Sequence, residues 1–137
     1  MVVAGVFLKA NMARISTLTG NRKSHSVAAI KFNKLELIKN PSQDDVETFI
    51  LAFQAFCSDH AVDKVVINRR ATAGQGAGGA GTFLLEGILL TGSPVPIIFI
   101  HSATIAATER RESNLKIHRP PTADLGKAYD LAYDGLG

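Results

Sequence analysis

Asp63-Lys64-Val65-Val66-Ile67-Asn68 runs into Arg69-Arg70-Ala71-Thr72-Ala73-Gly74-Gln75-Gly76-Ala77-Gly78-Gly79-Ala80-Gly81 and then Thr82-Phe83-Leu84-Leu85-Glu86. The first piece is a short apolar run rich in β-branched residues, which reads as a buried strand. The glycine-rich piece reads as a loop. The last piece begins an apolar helix, Phe83 to Leu90, stopped by Gly92-Ser93-Pro94. Strand, loop and helix in this order form half of a parallel crossover unit, so the fold is α/β.

Val2 to Leu8 is a continuous apolar run that suits a strand covered on both faces. Ala13 to Thr19 follows after a short connection at Asn11, and His25 to Phe32, with a broken continuation to Leu37, after the polar turn Gly20-Asn21-Arg22-Lys23. Three β-runs with short links predict an antiparallel meander. Ser42 then stands where a helix N-cap belongs, ahead of Asp44, Asp45 and Glu47. Val46, Phe49, Ile50, Phe53, Phe56 and Cys57 recur at spacings of three and four, predicting one amphipathic helix. Pro96 to Ile100 is a further buried strand. A short helix follows through Arg111, and a last helix runs from Ala123 to Leu136. The order β-β-β-α-β-α-β-α predicts a mixed five-stranded sheet with helices on both faces. At 137 residues the whole chain, 1–137, reads as one domain.

Charge is unevenly placed. Residues 1–39 hold seven basic side chains (Lys9, Arg14, Arg22, Lys23, Lys31, Lys34, Lys39) against one acid, Glu36, although the whole chain is only +3. A basic hairpin sheet suits an anionic partner, nucleic acid or a small anion, and equally suits solvated lysines on an outer face. The segment Arg110, Arg111, Lys116, His118, Arg119 offers the same two readings. Nothing approaches the length of a membrane span. A lone cysteine, Cys57, on an apolar helix face reads as a core thiol in a reducing cytoplasm.

Chemistry-bearing residues are sparse. The glycine loop beside Arg69 and Arg70 has the backbone donors and guanidinium groups that hold phosphate or carboxylate, but no Gly-Lys-Ser/Thr ends it as in a P-loop. Glu86, amid apolar helix residues, needs a partner such as Lys9 or Arg69, or a function. His101 stands at the carboxyl end of a buried strand, where ligands of α/β sheets gather. The histidines form no zinc spacing, and no Gly-x-Ser-x-Gly elbow is present.

Gly5-Val6-Phe7-Leu8-Lys9, Val65-Val66-Ile67 and Gly76 to Glu86 together resemble a small bacterial family, domain-of-unknown-function family 3010. The resemblance implies a ribonuclease-H-like fold, the fold of metal-dependent nucleases and Holliday-junction resolvases. Such nucleases hold two divalent metals with acids on the first strand two residues after a glycine, at the end of the fourth strand, and on the last helix. Here the first position is Phe7 and the second reads Asn68-Arg69-Arg70; the last helix keeps Asp124, Asp130 and Asp134.

The expectation is therefore a binding protein without metal or other cofactor, its ligand residues being Lys9, Asn68, Arg69, Arg70, Gly76, Gly78, Gly79 and His101. The alternative is a nuclease using Mg²⁺ or Mn²⁺ with Glu86, Asp130 and Asp124. A third reading is a homodimer assembled on the apolar helix Phe83 to Leu90.

Overall fold

The computed structural model describes residues 1–69 and 79–137. Strands β1 (Val2–Lys9) and β2 (Met12–Gly20) form an antiparallel hairpin, with Val2 opposite Thr19 and Lys9 opposite Met12. The two-residue turn is made by Ala10 and Asn11, and Ala10 takes the left-handed φ of 55° that such a tight turn needs. β3 (His25–Ala28) and β4 (Lys34–Glu36) both pair with β2, at its end and its start respectively.

The expected third run is therefore two strands, and the sheet has six strands rather than five. The chain leaves the edge at Ala29, whose φ is 51°, and the amide of Phe32 donates back to the Ala29 carbonyl at 3.0 Å. It rejoins at Asn33, whose carbonyl accepts from the Ile15 amide at 3.0 Å.

Helix α1 (Gln43–Asp59) opens on a capping box. The Ser42 hydroxyl accepts from the Asp45 amide, and Asp45 Oδ2 accepts from the Ser42 amide. Next come β5 (Lys64–Asn68), parallel to β1, α2 (Ala80–Gly92), and β6 (Ile97–Ile100), parallel to β5. α3 (Ser102–Glu112), a single 3₁₀ turn (Ser113–Leu115) and α4 (Ala123–Gly135) complete the chain. The strand order is β3-β2-β1-β5-β6, with β4 also on β2.

Alternation along β1 divides the core. Ala4, Val6 and Leu8 pack with Ile15, Val65 and Ile67 against Phe49, Phe53, Phe56 and Cys57 of α1 and Leu85 and Leu89 of α2. Val3, with Leu18 and Val66, packs against Tyr129, Ala132 and Tyr133 of α4. Gly5 sets the distance on this second face, since a Cβ there would lie 2.0 Å from the Ala128 carbonyl oxygen and 2.5 Å from the Ala132 amide nitrogen. Helix α4 thus lies directly on the β1 backbone. β1, β5 and β6 end at one edge of the sheet, and α2, α3 and α4 begin there, at Gly79, His101 and Thr122, none of which caps its helix with a side-chain hydrogen bond.

Candidate phosphate-binding edge

The edge is built around Phe7. Strand alternation puts Phe7 on the α4 side of β1, one pleat beyond Gly5. Arg14 stands directly opposite it on β2, and Lys34 of β4 directly opposite Arg14. Directly opposed residues share a face. Asn68, one residue past the Val6–Ile67 pairing, flanks Phe7 from β5. The Asn68 side-chain oxygen accepts from the Leu8 amide at 3.0 Å, continuing the ladder where β5 ends. From above, Lys127 of α4 sets its ammonium 5.0 Å from the centre of the Phe7 ring. One turn earlier, Asp124 lies 3.6 Å from Lys9 Nζ.

Arg69 follows Asn68 and turns to the opposite side, toward α2. Its guanidinium stacks 3.8 Å from the centre of the Phe99 ring and lies 3.9 Å from Glu86 Oε1. This is one of the two partners that Glu86 was expected to need, and the carboxylate is 9% exposed. Gly81 brings α2 against the β1–β2 turn, a Cβ there meeting the Ala10 carbonyl oxygen at 2.9 Å, and Thr82 Oγ1 donates to that same oxygen. Gly79 is the residue that begins α2, and His101, exposed, begins α3. Of the expected ligand residues, Arg70, Gly76 and Gly78 lie outside the described residues.

The three acids proposed for catalysis are not gathered. Asp124 is at the edge with Lys9. Glu86 is on α2, across the sheet from α4. Asp130 is in the middle of α4, where Arg119 donates to both of its oxygens, at 3.0 and 2.9 Å, and Lys116 donates to Oδ1 at 3.0 Å. Lys116 also reaches Glu109 at 2.8 Å, and its side chain is only 2% exposed. Lys116 and Arg119 are thus tied down onto α4, with Lys116 buried and His118 and Arg119 left exposed.

Beyond it, Arg22 joins the end of α3 to the end of α4. Its guanidinium donates to Glu112 Oε2 at 3.1 Å and to the carbonyls of Asp134 and Leu136, while Tyr133 donates to Glu112 Oε1 at 3.0 Å. Asp134 is shut in here, 3.6 Å from Arg22 and beside Thr108. Burial raises its pKa, and Thr108 and then the Arg22 charge pull the other way. Sequence patterning missed this network because Arg22 reads as part of a polar turn and Asp134 as one of the last helix's acids, with nothing to join them.

Hard divalent cations take oxygen ligands. Phe7 offers none, the Asn68 oxygen is engaged by the Leu8 amide, and Lys127 places a positive charge over the ring. These residues do not fit a pair of divalent ions. Among the described residues, no group of three or more His, Cys, Asp or Glu is arranged to hold a metal.

A family model described as "Protein of unknown function (DUF3010)" matches residues 1–134. The chain belongs to this family. No curated protein matches it in sequence. Among solved structures, this DUF3010 chain is similar to Thermus thermophilus RuvC. In complex with a Holliday junction substrate that protein gives a TM-score of 0.71 at 14% identity, covering 97% of this chain and 90% of that one. A second Thermus thermophilus RuvC structure gives 0.70 at 14% identity, covering 97% and 92%. The fowlpox virus Holliday junction resolvase gives 0.53 at 10% identity, covering 98% and 97%. The DUF3010 chain therefore has the ribonuclease-H-like fold. No helix among its described residues is long and apolar enough to cross a membrane.

Proposed function

We propose that this protein binds nucleic acid through phosphate at the carboxyl edge of β1 and β5, using cations where ribonuclease-H-like nucleases use metal ions. The observation that carries the reading is Phe7 beneath the Lys127 ammonium, with Asn68 tied to the Leu8 amide beside it. The edge is apolar at its floor and positive at its rim. Lys9, Arg69 and His101 stand around it, and the uncapped starts of α2, α3 and α4 add backbone donors. The fold is that of proteins whose structures include Holliday junction complexes, which favours branched DNA over a free anion as the ligand. Cys57, buried with its thiol pushed up to about 11, suits a reducing cytoplasm.

The test is fluorescence anisotropy of labelled four-way junction, duplex and single-stranded DNA, in chelator, over a salt series. Binding without metal, falling steeply with salt, is expected. No binding at the lowest salt removes the reading. Metal-dependent cleavage of the junction that is lost in Asp124→Asn would favour the nuclease alternative instead.

The apolar surface of α1 and α2 favours a homodimer as a second, compatible reading. Leu51, Leu84 and Leu90 are 56%, 41% and 55% exposed. Leu51 and Leu84 border a groove of about 460 Å³ together with Val46 and Ile50. Sedimentation at micromolar concentration should show a dimer that Leu84→Glu converts to monomer; a monomeric wild type sinks this reading.

A further inference from the structure

The cations at the binding edge differ in one respect: some are already neutralised. Lys9 faces Asp124, and Arg69 faces Glu86 while stacking on Phe99. Arg14 forms no ion pair and no hydrogen bond among the described residues, although it is partly buried and its Nε is shut off from solvent. A guanidinium held in a sheet face without an acceptor lacks both a counterion and a hydrogen-bond partner. Lys34, opposite Arg14 on β4, also forms no ion pair among the described residues. Lys127 lies over the face of Phe7 and forms no ion pair among the described residues, and that ring is opposite Arg14 on the neighbouring strand. Glu36, two residues beyond Lys34 on the same face of β4, is the nearest acid along the strand, and it forms no ion pair with any of the three.

From this juxtaposition we infer that Arg14, Lys34 and Lys127 form a phosphate subsite on the α4 side of the sheet, with Arg14 as its anchor. A phosphate oxygen pair matches the planar guanidinium fork. The two ammonium groups flank it from β4 and α4, and the Phe7 ring closes its floor against water. The excess of basic residues in the first 39 positions gains a structural account here. Arg14 and Lys34 belong to that excess, and the sheet brings them to the binding edge. The inference rests on the proposed nucleic-acid reading and names the residues that carry its affinity, which are not the ones that sequence singled out.

The experiment compares wild type, Arg14→Gln, Lys127→Gln and Lys64→Gln. The last carries the same charge change at the other end of β5. Binding of labelled junction DNA is followed across salt in chelator, and Arg14 Nε–H is followed by NMR during titration with inorganic phosphate. Folding of each variant is checked by its thermal melt. The inference expects Arg14→Gln and Lys127→Gln each to weaken DNA binding by about tenfold and to lower the salt slope by about one, with Lys64→Gln near wild type. Wild-type affinity in both variants, while wild type itself binds DNA, overturns the subsite and leaves nucleic-acid binding standing. No DNA binding, with a saturable phosphate shift at Arg14 that Lys127→Gln weakens, removes the nucleic-acid reading and supports the subsite for a small phosphate. Neither DNA binding nor a phosphate shift overturns both.

Discussion

Arg119 holds Asp130 through two parallel hydrogen bonds, and Lys116 closes on the same carboxylate from a position 2% exposed to solvent. The lysine is the buried member. Asp130→Asn leaves its charge facing Glu109, whose side chain is 48% exposed, and the Tyr133 ring. Breaking a buried pair from one side costs about 3 kcal/mol. Urea denaturation should show a loss of that size, and Lys116→Met with Asp130→Leu should recover most of it. Unchanged stability in Asp130→Asn would mean the pair carries no net energy.

Asp134 should make stability depend on pH. Its folded pKa is raised above the unfolded value of about 3.9, with burial the main cause, so folding favours the protonated form. That contribution is complete below the unfolded value and is lost as pH rises through the folded one. Asp134→Asn cannot ionise. Relative to wild type it should therefore gain stability as pH rises from about 4 to neutrality. Parallel urea curves across that range test this, and a difference that stays flat with pH would show Thr108 and Arg22 fully compensating the carboxylate.

The chain has two tyrosines, Tyr129 and Tyr133, both buried on α4, and burial pushes both phenols up to about 12. Tyrosinate absorbance should be absent in the native protein near pH 10, where an exposed phenol is half ionised. Because the folded values are raised, stability present below about 10 is lost as pH climbs toward 12. The absorbance should then rise together with unfolding. An early rise at native far-ultraviolet dichroism would contradict the packing of α4.

Two glycine substitutions should have opposite signs. At Gly5 the new methyl meets α4 backbone, which cannot turn away, so Gly5→Ala should cost about 3 kcal/mol or more. At Gly87, exposed within α2, nothing lies within 4 Å, so Gly87→Ala should stabilise by about 0.5–1 kcal/mol. Thermal melts of the two variants decide both.

The parts of this fold that local physics governs were legible in the residues. The α1 period and its Ser42 cap, the doubly covered β1 run, and the parallel pairing of β5 all follow from pattern. Cys57 as a core thiol follows from the face it occupies. The place where β3 divides from β4 was not legible, because the break sits at Ala29, an alanine taking a left-handed φ that no glycine or proline announces. The binding edge was half legible. Glu86 stood out by its apolar setting, and Arg69 by its place beside the glycine loop. Arg14 did not, because its importance comes from sitting opposite Phe7, and that register is fixed by a turn at Ala10 and Asn11 that carries no glycine. Lys116 was misjudged for a related reason: a lysine beside two arginines reads as solvated until α4 is seen lying beneath it.

The excursion between Ala29 and Asn33 also determines what the sheet will not do. An unbroken outer strand presents a row of unsatisfied amides and carbonyls on which a foreign chain can grow. Here that border is split into pieces of four and three residues, studded with Lys31 and Lys34, and the far border, β6, is four residues long. Neither side offers a template long enough for strand addition. Among the described residues, the surfaces left for assembly are the helices and the charged rim.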